Sequence, residues 1–152
     1  MRIWKKPISI ELLTTSHVGT AVAHLGIEFV QVGDDFIIGR VPVDVRTRQP
    51  YGLLHGGVSV LLAETLGSCG AAYSTPPDYR AVGLDINANH IKGATRGWVT
   101  GIARAVHIGR STQVWQIDLT NDAGQITCVS RITMAVLAPR MKRTLSRPEK
   151  DG

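Results

Sequence analysis

Between Gly26 and Val43 apolar and polar residues alternate, with one interruption at Gly33-Asp34-Asp35. A period of two marks a half-buried strand, so the stretch predicts a hairpin with strands at 27–32 and 36–43. Ahead of it, Ser9 precedes a short apolar run, the pattern of an N-capped helix. A polar, turn-rich stretch covers 44–52. Then the character changes. Residues 56–73 read GGVSVLLAETLGSCGAAY, without proline and apolar on nearly every side. A helix of that kind is a buried one, and it should stop at Ser74-Thr75-Pro76-Pro77. Four strand-like segments follow, at 81–90, 97–107, 112–120 and 125–137. The turns between them carry Gly93, Gly109 and Asn121-Asp122-Ala123-Gly124. Such short connections suit an antiparallel sheet. The order predicts an α+β fold, one long helix wrapped by a curved antiparallel sheet. An open sheet has two edges, and pairing one edge with its twin removes it, so a homodimer is expected.

The chain has 152 residues, 43% of them hydrophobic, enough for one domain with a sizeable core. Its net charge of +5 suits either nucleic acid or a phosphorylated small molecule as partner. Five of the seventeen basic residues (Arg140, Lys142, Arg143, Arg147 and Lys150) lie in the last thirteen positions. That region also holds Pro148 and little apolar content. We read 1–138 as the domain and 139–152 as a basic, disordered tail. Without the tail the domain is only mildly basic, which argues against nucleic acid. No apolar run reaches the length of a membrane span, and no signal-peptide core follows the charged start. A cytoplasmic protein with no membrane partner is expected. Cys69 and Cys128 each stand in an apolar stretch with no CxxC. They read as small buried hydrophobes in a reducing compartment. No His, Cys and Asp cluster has metal-ligand spacing, so no metal is expected.

Two features carry candidate chemistry. Gly56 and Gly57 open the long helix, where backbone can approach a ligand closely and free N–H groups favour negative charge. An oxyanion developing on a carbonyl would be stabilised there. Glu64 is the sole residue charged at neutral pH between His55 and Asp78. In a buried helix it reads as a functional base or nucleophile; on a narrow exposed stripe with Thr65 it reads as a solvated side chain. Ser68, one turn on, shares its face. Gly56 and Glu64 are eight residues apart, or roughly 12 Å along the axis, too far for both to reach one carbonyl. Two antiparallel copies of the helix could bring them together, placing two symmetric sites at a dimer interface.

The run Gln49-Pro50-Tyr51-Gly52-Leu53-Leu54-His55-Gly56-Gly57, with Ala63-Glu64-Thr65 and Ser68, resembles the hot-dog-fold acyl-CoA thioesterases. It is most similar to the branch of 4-hydroxybenzoyl-CoA thioesterases and 1,4-dihydroxy-2-naphthoyl-CoA hydrolases of quinone biosynthesis, whose helix carries a glutamate. Trp4-Lys5, Pro42-Val43-Asp44, the stretch from Val82 to His90, and Val114-Trp115-Gln116-Ile117 add to the likeness, which covers roughly residues 3 to 137. The resemblance implies that Glu64 is the nucleophile or the general base, and that the Gly56 N–H polarises the thioester carbonyl. Gln49 and His55 would orient the substrate, and Ser68 would sit beside Glu64. No cofactor is implied, coenzyme A being part of the substrate. Its contacts would come from Val82 and Gly83, from His90, Ile91, Lys92 and Gly93, from His107, Ile108, Gly109, Arg110, Ser111 and Thr112, and from Arg131. The segment 92–96 does not match the family pattern. Leu54, Val60, Leu61, Leu66 and Tyr73 suit either the acyl pocket or the core. A homodimer, or a homotetramer built from two, is the implied assembly. Two alternatives stay open: an acyl-thioester dehydratase using His55, and a non-catalytic acyl-CoA-binding protein.

Overall fold

A computed structural model describes residues 1–139 of the chain. The expected tail from residue 140 onward lies outside the described residues. Ser9 caps the first helix, α1 (Ile10–Ser16), its hydroxyl accepting from the Leu12 N–H at 3.1 Å. A four-residue helix, α2 (Ala21–His24), follows; it is too short to leave a periodic signal and was not expected. The hairpin is β1 (Glu28–Val32) and β2 (Phe36–Pro42), and the long helix is α3 (Gly56–Ser74). The remaining strands are β3 (Arg80–His90), β4 (Trp98–Ile108), β5 (Thr112–Asn121) and β6 (Ile126–Leu137). All six form one antiparallel sheet in the order β1-β2-β4-β5-β6-β3. The sheet curls around α3, the hot-dog arrangement that the resemblance implies.

The core lies between α3 and the concave face. Leu62, Ala63, Leu66 and Ala71 of the helix meet Ile37, Val41, Val99, Ala103, Trp115, Ile117, Leu119, Ile132 and Met134 of the sheet, all almost wholly buried. The approach is close. A Cβ added at Gly70 would stand 2.6 Å from the Trp115 ring, and one at Gly67 would stand 2.5 Å from Ile132. On its other side Trp115 stacks on Trp4, with ring centroids 6.2 Å apart and planes within 9°. Trp4 donates its indole N–H to the Gly33 carbonyl (2.7 Å), which sews the start of the chain to the hairpin tip. At the end of α3 the buried Gln113 accepts from the Ser74 hydroxyl (3.0 Å) and the Trp115 indole (2.9 Å), and donates to Thr75 Oγ1 (3.1 Å). Every polar group of this cluster is partnered, as burial requires.

Two features depart from the expected picture. First, α3 is not covered all round. Gly57 and Glu64 are exposed and Val60, Leu61, Ser68, Ala72 and Tyr73 half-buried, a stripe at helical spacing that the sheet leaves bare. Second, β3 lies at the sheet edge although it stands in the middle of the sequence. Its free edge carries Val82 and Leu84, which are 42% and 62% exposed, and its register shifts between Gly83 and Asp85.

Candidate active site

Glu64 stands in the bare stripe of α3, so of the two readings left open the exposed one holds in one chain. Thr65 is not its companion on that stripe, being buried with its hydroxyl donating to the Leu61 carbonyl (2.7 Å). Glu64 opens into a groove of about 700 Å³ lined by Gly57, Val60, Leu61, Ser68, Cys69, Ala72 and Tyr73 of α3, Ser16 and His17 at the end of α1, and Ala81 of β3. Ser68 is one turn beyond Glu64, as its spacing implied, and its hydroxyl points at Met134 Sδ at 3.9 Å. Leu54 and Leu66 belong to the core, whereas Val60, Leu61 and Tyr73 line the groove. Gly83 of β3 lies against the carboxylate, so close that an added Cβ would come within 3.2 Å of Glu64 Oε1.

The other candidate groups collect elsewhere. The turn before α3 is pinned by Asp44. Hydrogen bonds from Arg46 hold its carboxyl below the usual carboxylate range, and its backbone carbonyl accepts from Thr47 and Arg48. A tight turn follows, closed by the Gly52 N–H donating to the Gln49 carbonyl (2.9 Å), with Gly52 at φ 81°. Gln49 Oε1 accepts from the Tyr51 N–H, which leaves its amide NH₂ to other acceptors. His55 is the N-cap of α3, its Nδ1 accepting from the Gly57 N–H at 2.9 Å. In the neutral ring Nε2 then carries the proton and is a donor. The Gly56 N–H has no protein acceptor among the described residues, as is usual for the first N–H of a helix. Gln49, Gly56, His90, Ile91, Lys92 and Gly93 line a second groove of about 300 Å³. His90 lies over the glycine: a Cβ on Gly56 would be 3.0 Å from His90 Nε2.

One chain therefore carries the donor groups in one groove and the carboxylate in another. The expected coenzyme A residues are divided as well. His90 to Gly93 border the groove at the start of α3. Ile108, Gly109, Arg110 and Ser111 border a third groove, of about 650 Å³, beyond its end, together with Lys5, Thr75, Tyr79 and Gln113. His107 and Thr112 flank that turn in the β4–β5 hairpin. Val82 is level with Thr112 across β6, and His90 is eight residues farther along β3, roughly 26 Å. Arg131 joins neither set. It donates from Nε (3.2 Å) and Nη2 (3.0 Å) to Oε1 of Gln116, its register partner on β5. Sequence reasoning passed over Ser16 and His17, because only the fold brings the end of α1 against α3. Cys69 was read simply as a buried hydrophobe. It is buried, and burial pushes its thiol up to about 12, but it also forms groove wall.

The sequence profile of the thioesterase superfamily matches residues 51–128, a span that includes Gly56, Glu64, Ser68 and the edge strand. The chain belongs to the thioesterase superfamily. This thioesterase is 45% identical over 135 residues to the 1,4-dihydroxy-2-naphthoyl-CoA hydrolase of Escherichia coli, covering 89% of this chain and 99% of that one. It is 44% identical, over 89% of this chain and 98% of the other, to the proofreading thioesterase EntH of Cronobacter turicensis. Its fold superposes on the crystal structure of a thioesterase from Haemophilus influenzae with a TM-score of 0.89 and 45% identity, covering 93% of this chain and 99% of that one. The protein is a thioester hydrolase, which sets aside the dehydratase and the non-catalytic alternatives. No helix among its described residues is long and apolar enough to cross a membrane.

Proposed function

We propose that this thioesterase hydrolyses an acyl- or aryl-CoA thioester to the free acid and coenzyme A, at sites shared between two antiparallel copies of α3. The observation that carries this reading is the division of labour within one chain. The donors of the Gly56 groove and the carboxylate of the Glu64 groove lie on different parts of the molecule, and each set is half of a hydrolytic site. In a dimer joined through the bare face of α3 and the β3 edge, the Gly56 N–H of one chain faces Glu64 of the other. That N–H, the His55 Nε2–H and the Gln49 amide polarise the carbonyl. Glu64 either takes a proton from water as it attacks, or attacks the carbonyl itself to give an anhydride that water then opens. In both routes the C–S bond breaks and coenzyme A leaves as the thiol after protonation. Ser68 positions the water or the acyl group. Covering by the partner removes the reacting groups from bulk solvent, which strengthens the electrostatic interactions among them.

Coenzyme A phosphates best fit the third groove, which offers Lys5, Arg110 and the hydroxyls of Ser111 and Tyr79 and no carboxylate. Two relatives with different printed activities match this chain to almost the same degree, so identity alone does not select the acyl group. 1,4-Dihydroxy-2-naphthoyl-CoA, the substrate in the Escherichia coli relative's name, is the first to test. Two dimers pairing into a tetramer is the larger assembly we propose.

The decisive experiment is thiol release from a panel of aryl- and alkyl-CoA thioesters by wild type and Glu64→Ala. The variant should lose a factor of about 10³ or more in kcat, the scale of a general base or nucleophile, with its dimer and melting temperature unchanged. Comparable turnover in a folded Glu64→Ala protein sinks the assignment.

A further inference from the structure

The Glu64 groove continues past Ser68 to an end wall made by His17, Cys69 and Tyr73. His17 is held there on one side of its ring. Its Nδ1 lies 2.7 Å from the Leu13 carbonyl, and a carbonyl can only accept, so Nδ1 carries the proton of the neutral ring. The ring also packs on Phe29, with centroids 5.1 Å apart. Nε2 is therefore a fixed acceptor. Its neighbour is Cys69 Sγ at 3.9 Å, a neutral thiol and a weak donor. Between this end and Glu64 the helix presents Ser68 and Thr65, with Ala81 of β3 also in the wall, whereas Val60 and Leu61 line the groove on the other side of Glu64. From Glu64 the groove thus leads past the Ser68 hydroxyl to an under-used hydrogen-bond acceptor at His17.

We propose that His17 determines acyl-group specificity, with Nε2 accepting a hydrogen bond from a hydroxyl on the far side of an aryl ring. The inference rests on placement of the thioester carbonyl at Glu64. From Glu64 to Cys69 is five residues of helix, roughly 7.5 Å along the axis. One aromatic ring with a hydroxyl opposite its carbonyl spans such a gap. A hydroxyl next to the carbonyl falls short of it, and a plain alkyl chain brings no donor. The benefit is selective because a substrate lacking the hydroxyl leaves Nε2 with its weak thiol contact alone, while one bearing it trades hydration for a bond made in a covered site.

The test compares kcat/KM for benzoyl-CoA and for 2-, 3- and 4-hydroxybenzoyl-CoA, in wild type, His17→Phe and His17→Gln. The quantity read is the mutant-to-wild-type ratio for each thioester, in which intrinsic reactivity cancels. His17→Phe keeps the ring's bulk, so fold and groove shape are preserved; melting temperatures check this. Its expected loss is about tenfold on one or both thioesters hydroxylated at positions 3 and 4, with at most twofold on the other two classes. His17→Gln, which retains an acceptor, should recover part of that loss. Equal losses on all four thioesters, no loss on any, or a wild type that turns over alkyl but not aryl thioesters would each overturn the proposal. Glu64→Ala, run on the same panel, reports separately on the site itself. Undiminished activity in that variant overturns the placement of the thioester whatever the His17 ratios are.

Discussion

Gly83 shows how little room surrounds the proposed catalytic carboxylate. Its α-carbon lies under Glu64, and a methyl group there would come 3.2 Å from Oε1, tighter than ordinary contact. The carboxylate has to yield by a few tenths of an ångström. Misplacement on that scale is costly in a site that depends on alignment. Gly83→Ala is expected to lower kcat on the order of tenfold while leaving KM and the melting temperature close to wild type; steady-state kinetics on the best thioester of the panel checks this. At this scale part of the candidate site was readable beforehand. Glu64 stood out because it interrupts an apolar helix, and Gly56 because glycine pairs at helix starts expose N–H groups. What the sequence could not show is that Glu64 is uncovered in one chain, since helical periodicity does not reveal how far a sheet wraps. His17 carried no signal at all, because its value comes from a carbonyl four residues back and from a cysteine on another helix.

Among the elements, α3 was legible nearly to its ends, and the strands to within a residue or two, because long apolar runs and strict alternation survive without knowledge of contacts. The order of strands was not. Nothing local says that β3 pairs with β6 and so reaches the edge, because that pairing is decided by which strand completes the curve around α3. The helix also carries glycines that propensity alone would mark as weak points. An exposed helical glycine replaced by alanine usually gains up to about 1 kcal/mol. Gly70 should do the reverse. Its added methyl would meet the Trp115 ring at 2.6 Å, and that ring is fixed by Trp4 behind it and by Gln113 at its indole N–H. Gly70→Ala is expected to destabilise the protein by about 1–3 kcal/mol, read as a lower denaturant midpoint with an unchanged slope.

For the whole molecule, a site made of two half-sites makes a demand that no single-chain site does. Glu64→Ala and Gln49→Ala homodimers should both be poor enzymes. When equal amounts are mixed and allowed to exchange subunits, half of the dimers are hybrids. Each hybrid holds one site lacking both groups and one site lacking neither. Activity should climb to about one quarter of wild type, the statistical expectation for a symmetric dimer. A mixture no more active than its parts would place Glu64 and Gln49 in the same chain's site. The distance along one helix led to the same expectation from sequence, and the mixing experiment tests it. The sequence did not anticipate that the two basic stretches proposed for coenzyme A lie at opposite ends of the sheet, because neighbours in a motif list need not be neighbours along antiparallel strands.

The stack of Trp4 on Trp115 has a bearing on how the chain comes into being. Trp4 leaves the ribosome more than a hundred residues before its partner. A shorter delay, 38 to 57 residues by their register, separates β3 from β6, the last of the described strands. Until then the helix has no complete wall to lie against and the amino terminus nothing to stack on. Contacts of such long sequence separation form slowly, and the domain should condense as one unit after synthesis rather than piece by piece during it. For most of its synthesis the nascent chain carries α3 with an apolar surface open on several sides. It is then at its most vulnerable to self-association, and β5 and β6 relieve it as they close the wall around α3.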